Sequence, residues 1–355
     1  MDGSAVLNDA MTMPVSVAPL EGSAHAAWDD YVCDHAHGSP FHLTAWRKAV
    51  TSALGYDAPY LIAKRAEQIV GVLPLVHAKT RLFGNNMIST GFSVGGGILA
   101  DDDEVADALS REAISLAGDR KVDSLELRSE KARFEGWPTK AETYASYVAP
   151  MAADADERLK AIPRKKRADV RKGIKAELPV NAEASVDTFF ELYAQNLHAL
   201  GTPIMPKKWY AALKDAFGEA CEIATVEGPD GPVVGLLSFY HKDTVYPYYV
   251  GANAEARRLH AFDHVYWTLM ERAVARGCTK FDFGRSKIGT GAADYKKHWG
   301  FEGVPLEYQF HLFGDNAMPD VNPNNPKYAR FVKIWKKLPF GATKVLGPIL
   351  ARQLA

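Results

Sequence analysis

"HALGTPIMPKKWYAALKDAFG" (residues 198–218) decides the fold, because the chain contains the same stretch twice. Residues 35–55 read "HAHGSPFHLTAWRKAVTSALG". His35, Gly38, Pro40, Trp46 and Gly55 fall without a gap on His198, Gly201, Pro203, Trp209 and Gly218. Three more matches follow in the same order. "LIAKRAEQIVGVLPL" (61–75) faces "EIATVEGPDGPVVGLLSF" (222–239), "FSVGGG" (92–97) faces "YYVGAN" (248–253), and "SLELRSEK" (124–131) faces "KFDFGRSK" (280–287). A repeat of this length indicates a duplicated domain rather than a short-period solenoid.

Each half reads as two helices around a Gly/Pro loop, the second helix carrying Trp46 or Trp209. Two β-branched strands then pair around a turn, and a third strand ends at Val-Gly. A long amphipathic helix follows, then a final strand. This order predicts a mixed-sheet α/β (α+β) unit in each half. The expected boundaries are a flexible arm over 1–14, domain 1 over 15–150, domain 2 over 151–313, and a basic helical tail over 314–355.

With 47% hydrophobic and 24% charged residues, the chain is a folded one and not a disordered one. A net charge of -1 excludes a global field for nucleic acid or membrane and leaves only local patches. Cys33, Cys221 and Cys278 are too scattered for a metal site, and the histidines form no His-Glu-x-x-His pattern, so neither a metal nor a cofactor is expected. The opening residues lack signal-peptide order, and a cytoplasmic location is the expectation.

The chemistry concentrates in "FDFGRSKIGTGAADYKKHWGF" (281–301). An alternating strand is expected to break at Gly284 into Arg285-Ser286-Lys287, then turn back through small residues to Tyr295-Lys296-Lys297-His298-Trp299. Such a loop is either a solvated edge or the mouth of a site for an anionic or acyl-bearing substrate. No Gly-x-Ser-x-Gly elbow occurs, so direct attack on a bound donor is expected rather than a covalent enzyme intermediate. Lys296 is the catalytic candidate, with a surface lysine as the other reading. Asp282 is a candidate orienter, or a cap. Arg285 and Lys287 are placed to hold an anion, or to pair with nearby acids. Tyr248 and Tyr249 are expected on opposite faces of one strand, lining a site or filling the core. Tyr295, Lys297 and Trp299 complete the binding set.

Two basic segments stand apart. "RLKAIPRKKRADVRKGIK" (158–175) places Arg164, Arg167 and Arg171 on one helical face, for phosphates or as a solvated connector. The tail "KYARFVKIWKKLPF" (327–340) sets Phe331, Ile334, Trp335 and Leu338 in a stripe among Lys327, Lys333, Lys336 and Lys337. It either packs on the protein or makes a peripheral contact with an anionic membrane face through residues 327–338.

This order of elements resembles the GNAT acyltransferase fold, and two such domains in tandem resemble the Fem family of aminoacyl-tRNA-dependent transferases. "YPYYVGAN" (246–253), "AFDHVYWTLMERAVARGCTKFDFGRS" (261–286) and "YKKHWGFEG" (295–303) carry the likeness. More narrowly, the chain is similar to FemAB-related proteins of exosortase/PEP-CTERM and exopolysaccharide systems. Fem proteins insert a coiled-coil arm in the second domain, and no sustained heptads occur here. The resemblance implies an aminoacyl- or acyltransferase modifying an amine on a peptidoglycan or exopolysaccharide precursor, with Lys296 as the family's site lysine. The partners implied are an aminoacyl-tRNA or acyl-CoA donor and a lipid- or nucleotide-linked acceptor. An acyl-CoA-dependent N-acyltransferase and a catalytically silent membrane-docking protein are the alternatives. For CoA, "GGGILADDDEVAD" (95–107) is too acidic, and "NAEARRLHAFDH" (253–264) is basic but lacks glycines.

Overall fold

The computed structural model describes residues 13–81, 84–318 and 326–353, with only the backbone of 326–329. The arm expected over 1–14 lies outside the described residues as far as residue 12. The chain forms two compact units. The first comprises residues 1–141, 306–320 and 353–355, and the second residues 142–305 and 321–352.

The first unit contains β1 (Val15–Pro19), β2 (Leu61–Arg65), β3 (Gln68–Leu73), β4 (Leu75–Thr80), β5 (Gly84–Ser89), β6 (Leu99–Ala100), β7 (Ser124–Leu127) and β8 (Thr139–Lys140), and borrows the late strand β16 (Tyr308–Leu312). Among the described residues they form two sheets, β1-β2-β3-β6 and β4-β5-β7-β16-β8, in which only the β5–β7 pair is parallel. Helices α1 (His25–Asp34) and α2 (Thr44–Ala49) precede β2, and α3 (Asp103–Asp119) precedes β7. Val105, Leu109, Ala113 and Ala117 recur at helical spacing on α3 and meet Leu61, Ala63, Leu73 and Leu125 in the core. The third strand expected through Phe92–Gly97 is interrupted there. β5 stops at Ser89, Thr90 and Phe92 take positive φ, and pairing resumes in β6.

The second unit is one seven-stranded sheet in the order β10-β11-β12-β13-β14-β9-β15. Its strands are β9 (Tyr144–Pro150), β10 (Val180–Asn181), β11 (Cys221–Gly228), β12 (Gly231–His241), β13 (Thr244–Ala252), β14 (Lys280–Lys287) and β15 (Val304–Pro305). Its helices are α4 (Ala155–Ala161), α5 (Arg164–Lys175), α6 (Val186–Leu200), α7 (Lys207–Phe217), α8 (Ala261–Ala275), α9 (Gly291–His298), α10 (Pro326–Trp335) and α11 (Phe340–Ala351). Val265, Leu269 and Ala273 of α8 share a core with Leu236 and Phe281. Leu237 and Phe239 alternate to the face that α6 covers. There the backbones touch: a Cβ on Gly251 would lie 2.3 Å from the Tyr193 Cα.

The order of elements repeats between the units. Gly71 pairs with Ala100 in one as Gly235 pairs with Gly251 in the other, and the parallel pair β5–β7 matches β13–β14. The expected boundaries at 150 and 313 are corrected by the final strands. β7 takes β16 as its antiparallel neighbour, whereas β14 takes β9. Each sheet is therefore completed by a strand from the far side of the boundary read from sequence. Contiguous patterning cannot show this, because strand pairing is not a local property.

Candidate active site

The site is built on β14. Phe281 and Phe283 point into the core, where Phe283 meets Phe301 and Tyr266 at centroid distances of 4.7 and 5.0 Å. The strand does not end at Gly284, as the sequence suggested. It runs on to Lys287 through a bulge against β9, with the register shifting between Asp282 and Arg285. Gly284 supplies the φ of +68° that the bulge requires. The Asp282 carboxylate accepts the Gly284 N–H at 2.7 Å and so fixes the turn.

The return segment is helical rather than an extended turn. Thr290 caps α9, its hydroxyl accepting the Ala293 N–H. The helix carries Lys296 back to the bulge, where Nζ donates to the carbonyl oxygens of Gly284 at 2.9 Å and Arg285 at 3.1 Å. The same ammonium lies 5.3 Å from the Tyr147 ring centroid. Burial lowers the Lys296 pKa to about 8; Asp282 pulls it up and Arg285 pushes it further down. A lysine poised there holds a proton at neutral pH and releases it in mild alkali, the range in which general acid–base chemistry works. Arg285 stacks over Tyr144 at 4.3 Å. Tyr144 and Tyr147 both belong to β9, and sequence reading missed them.

Tyr295 and Trp299 serve a different cation. Lys166 of α5 lies 4.4 Å from the Tyr295 centroid and 5.6 Å from that of Trp299. Lys166 ion-pairs with Asp263 in the first turn of α8, and Asp263 also accepts the Tyr295 hydroxyl at 2.8 Å. Burial, with Asp263 beside it, holds the Tyr295 phenol well above its ordinary value, so it stays a neutral donor. Neither Lys166 nor Asp263 was singled out from sequence, although both sit inside quoted motifs. Trp299 is 2% exposed and anchors the return segment in the core beside Phe301. Lys297 is exposed, and Lys287 is half-buried.

The tyrosines of β13 also depart from expectation. The β12–β13 register shifts between Leu237 and Ser238, so Tyr248 and Tyr249 do not alternate across the sheet. Their rings meet edge to face at 4.7 Å. Tyr249 accepts from the Trp209 indole at 3.2 Å within a cluster that includes Tyr193 and Tyr210, a structural position. Tyr248 is half-buried beside Phe239.

Of the basic face, Arg164 and Arg171 are exposed. Arg167 is committed to structure: its guanidinium donates to the carbonyl oxygens of Ile162 at 3.0 Å and Lys160 at 2.7 Å, closing the end of α4. The first turn of α8, where a GNAT would hold pyrophosphate, is covered by α5. A Cβ on Gly173 would stand 3.0 Å from the His260 carbonyl oxygen and 3.1 Å from the His264 amide. In the first unit the equivalent helix start is filled by its own acids. Asp102 accepts from the Val105 N–H at 2.9 Å and from Arg65 at 2.6 Å, and Glu104 accepts from Arg65 at 2.8 Å.

Residues 158–297 match the family model described as "Acetyltransferase (GNAT) domain". The second unit thus carries an acyltransferase domain, and its β14–α9 site lies within the matched span as far as Lys297. Among solved structures, FemX superposes with a TM-score of 0.68 at 16% identity, covering 89% of this chain and 100% of that one. A conserved protein of unknown function from Bacteroides thetaiotaomicron gives 0.54 at 12%, covering 84% and 100%. A tandem GNAT protein from the clavulanic acid biosynthesis pathway gives 0.53 at 10%, covering 86% and 100%. At these identities the likeness is one of fold: two GNAT units in tandem. A comparison with curated proteins finds no match.

Proposed function

We propose that the protein is a Fem-type acyltransferase. It moves an aminoacyl or acyl group from a bound donor to an amine of a cell-envelope precursor, without a covalent enzyme intermediate. The observation that carries this reading is the Lys296 ammonium, held by two backbone carbonyls at the β14 bulge with a pKa lowered to about 8. In the reaction the neutral acceptor amine attacks the donor carbonyl and forms the C–N bond as the donor's ester C–O bond breaks. Lys296 stabilises the oxyanion or protonates the leaving oxygen, and the proton lost by the amine nitrogen passes to solvent or restores the Lys296 ammonium. Arg285 holds an anionic group of the substrate. Donor and chemistry belong to the second unit, and the first assists the acceptor. A peptidoglycan or exopolysaccharide intermediate is the acceptor class, in keeping with the fold shared with FemX.

Aminoacyl-tRNA is the preferred donor. Arg164 and Arg171 offer phosphate contacts on α5, while the close approach of Gly173 to α8 covers the turn that CoA would need. Acyl-CoA remains the second reading, favoured by the exposed pair Arg257 and Arg258 ahead of α8. Calorimetric titration of the full chain with acetyl-CoA and with aminoacyl-tRNA separates the two. Heat with acetyl-CoA alone overturns the donor assignment. Silence to both, with no transfer to amine acceptors, overturns the enzyme reading.

A further inference from the structure

Helix α11 is packed with its large side chains outward. Its buried positions are Thr343, Gly347 and Ala351, one turn apart. Gly347 lets the helix press on the body, where a Cβ would stand 3.0 Å from the Ile204 amide nitrogen. Val345, Leu346 and Ile349 face solvent at 68%, 42% and 61% exposure. An ordinary amphipathic surface helix does the reverse. Nor is the helix loosely attached. Lys344 ion-pairs with Glu191 of α6, and the preceding turn is held by His198, whose Nε2 meets the Leu338 carbonyl oxygen at 3.0 Å.

The neighbouring α10 revises the stripe read from sequence. Trp335 is buried at 3% exposure, whereas Ile334 stands out at 63%, flanked by exposed Lys333, Lys336 and Lys337. Residues 326–355 contain seven Lys and Arg and no Asp or Glu, in a chain whose net charge is -1. Aliphatic side chains in solvent beside an all-cationic segment fit a surface that is apolar within and negative at its boundary. Nucleic acid would use the lysines and leave the aliphatics in water.

We propose that the outward face of α11, with Ile334 and the lysines of α10, docks on an anionic phospholipid bilayer. No helix among the described residues is long and apolar enough to cross a membrane, so the contact is peripheral. The inference stands independently of the acyl-transfer reading.

The test uses the full chain with vesicles of phosphatidylcholine alone and of phosphatidylcholine with phosphatidylglycerol. The protein should sediment with the anionic vesicles at low salt and be released by added salt. Val345→Ser/Leu346→Ser/Ile349→Ser, at exposed positions, should weaken partition roughly tenfold or more. Lys333→Gln/Lys336→Gln/Lys337→Gln should weaken it by a similar factor and flatten the salt dependence. Equal sedimentation with both vesicle types overturns the proposal, as does an unchanged triple-serine variant. Sedimentation velocity supplies the remaining outcome. A dimer that the serine variant dissociates, without vesicle binding by the parent, would assign this face to a second copy of the chain.

Discussion

Lys296 donates to the carbonyl oxygen of Gly284, the one residue of β14 with a left-handed backbone. The bulge turns two strand carbonyls onto one ammonium, and the ammonium in turn occupies a bulge that a straight strand would not offer. The buried charge and the backbone irregularity are a single arrangement here. Substitution of Lys296 therefore tests both.

Lys296→Met keeps the stem and removes the charge. Turnover should fall by roughly 10²–10³, the scale for losing one preorganised oxyanion donor. Burial has already cost the ammonium roughly 3 kcal/mol, taking its pKa from 10.5 to about 8. The melting temperature at pH 7 should accordingly hold or rise. Near-normal turnover in a steady-state assay would remove Lys296 from the mechanism.

The pH dependence has a definite sign. The folded pKa lies below the unfolded one, so between about 8 and 10.5 the unfolded chain binds the extra proton. The penalty on folding is complete below pH 8 and fades as pH rises to 10.5, so this group makes the fold more stable with rising pH in that window. Activity that needs the ammonium should instead decline above about pH 8. Lys296→Arg should carry any retained activity to higher pH, and a rate profile flat through pH 9 in the parent enzyme contradicts the assignment.

Arg285→Gln should raise KM with little change in kcat, since the guanidinium is assigned to binding rather than to the reacting centre. Tyr144→Leu removes the ring under it and should shift KM in the same direction, by less. A loss confined to kcat would move Arg285 into the chemistry.

Lys166 and Asp263 form an ion pair with side chains only 11% and 9% exposed. Asp263→Ala leaves the ammonium buried and unpaired, and should cost about 3–5 kcal/mol in denaturant unfolding. A cost below 1 kcal/mol would show that Lys166 escapes to solvent.

Arg164→Glu/Arg171→Glu should weaken aminoacyl-tRNA binding and lower the slope of log affinity against log salt by roughly one to two. Stability should change by less than about 1 kcal/mol, because both side chains are exposed. Arg167 is left out, because its bonds to Ile162 and Lys160 would confound the readout. Unchanged tRNA affinity would make α5 a connector.

The repeat, the mixed sheet, and Lys296 and Arg285 as candidate residues could be read from the chain because their signals are local: Trp46 and Trp209 at matched spacing, alternation around Phe281, a small-residue turn before Tyr295. What escaped is non-local. Tyr147 and Tyr144 reach the site only because β9 pairs with β14. Lys166 meets Asp263 only because α5 crosses α8. Tyr248 and Tyr249 do not take opposite faces because a bulge breaks period two, and the adjacent tyrosines gave no sign of the extra residue.

The exchange of β9 and β16 has a consequence for biosynthesis. Domains ordinarily fold as they emerge, the amino-terminal one first. In this chain the second edge of β7 waits for its partner until Tyr308–Leu312 has been synthesised, by which time β14 and α9 are also out. Until then β7 presents an open edge, of the kind that invites pairing with other chains. A nascent chain halted after Pro305 should be protease-sensitive in its first unit, and one extended past Phe313 should not. Both units should therefore reach completion almost together during synthesis, and a chain broken between β7 and β16 should leave that edge of β7 unpaired.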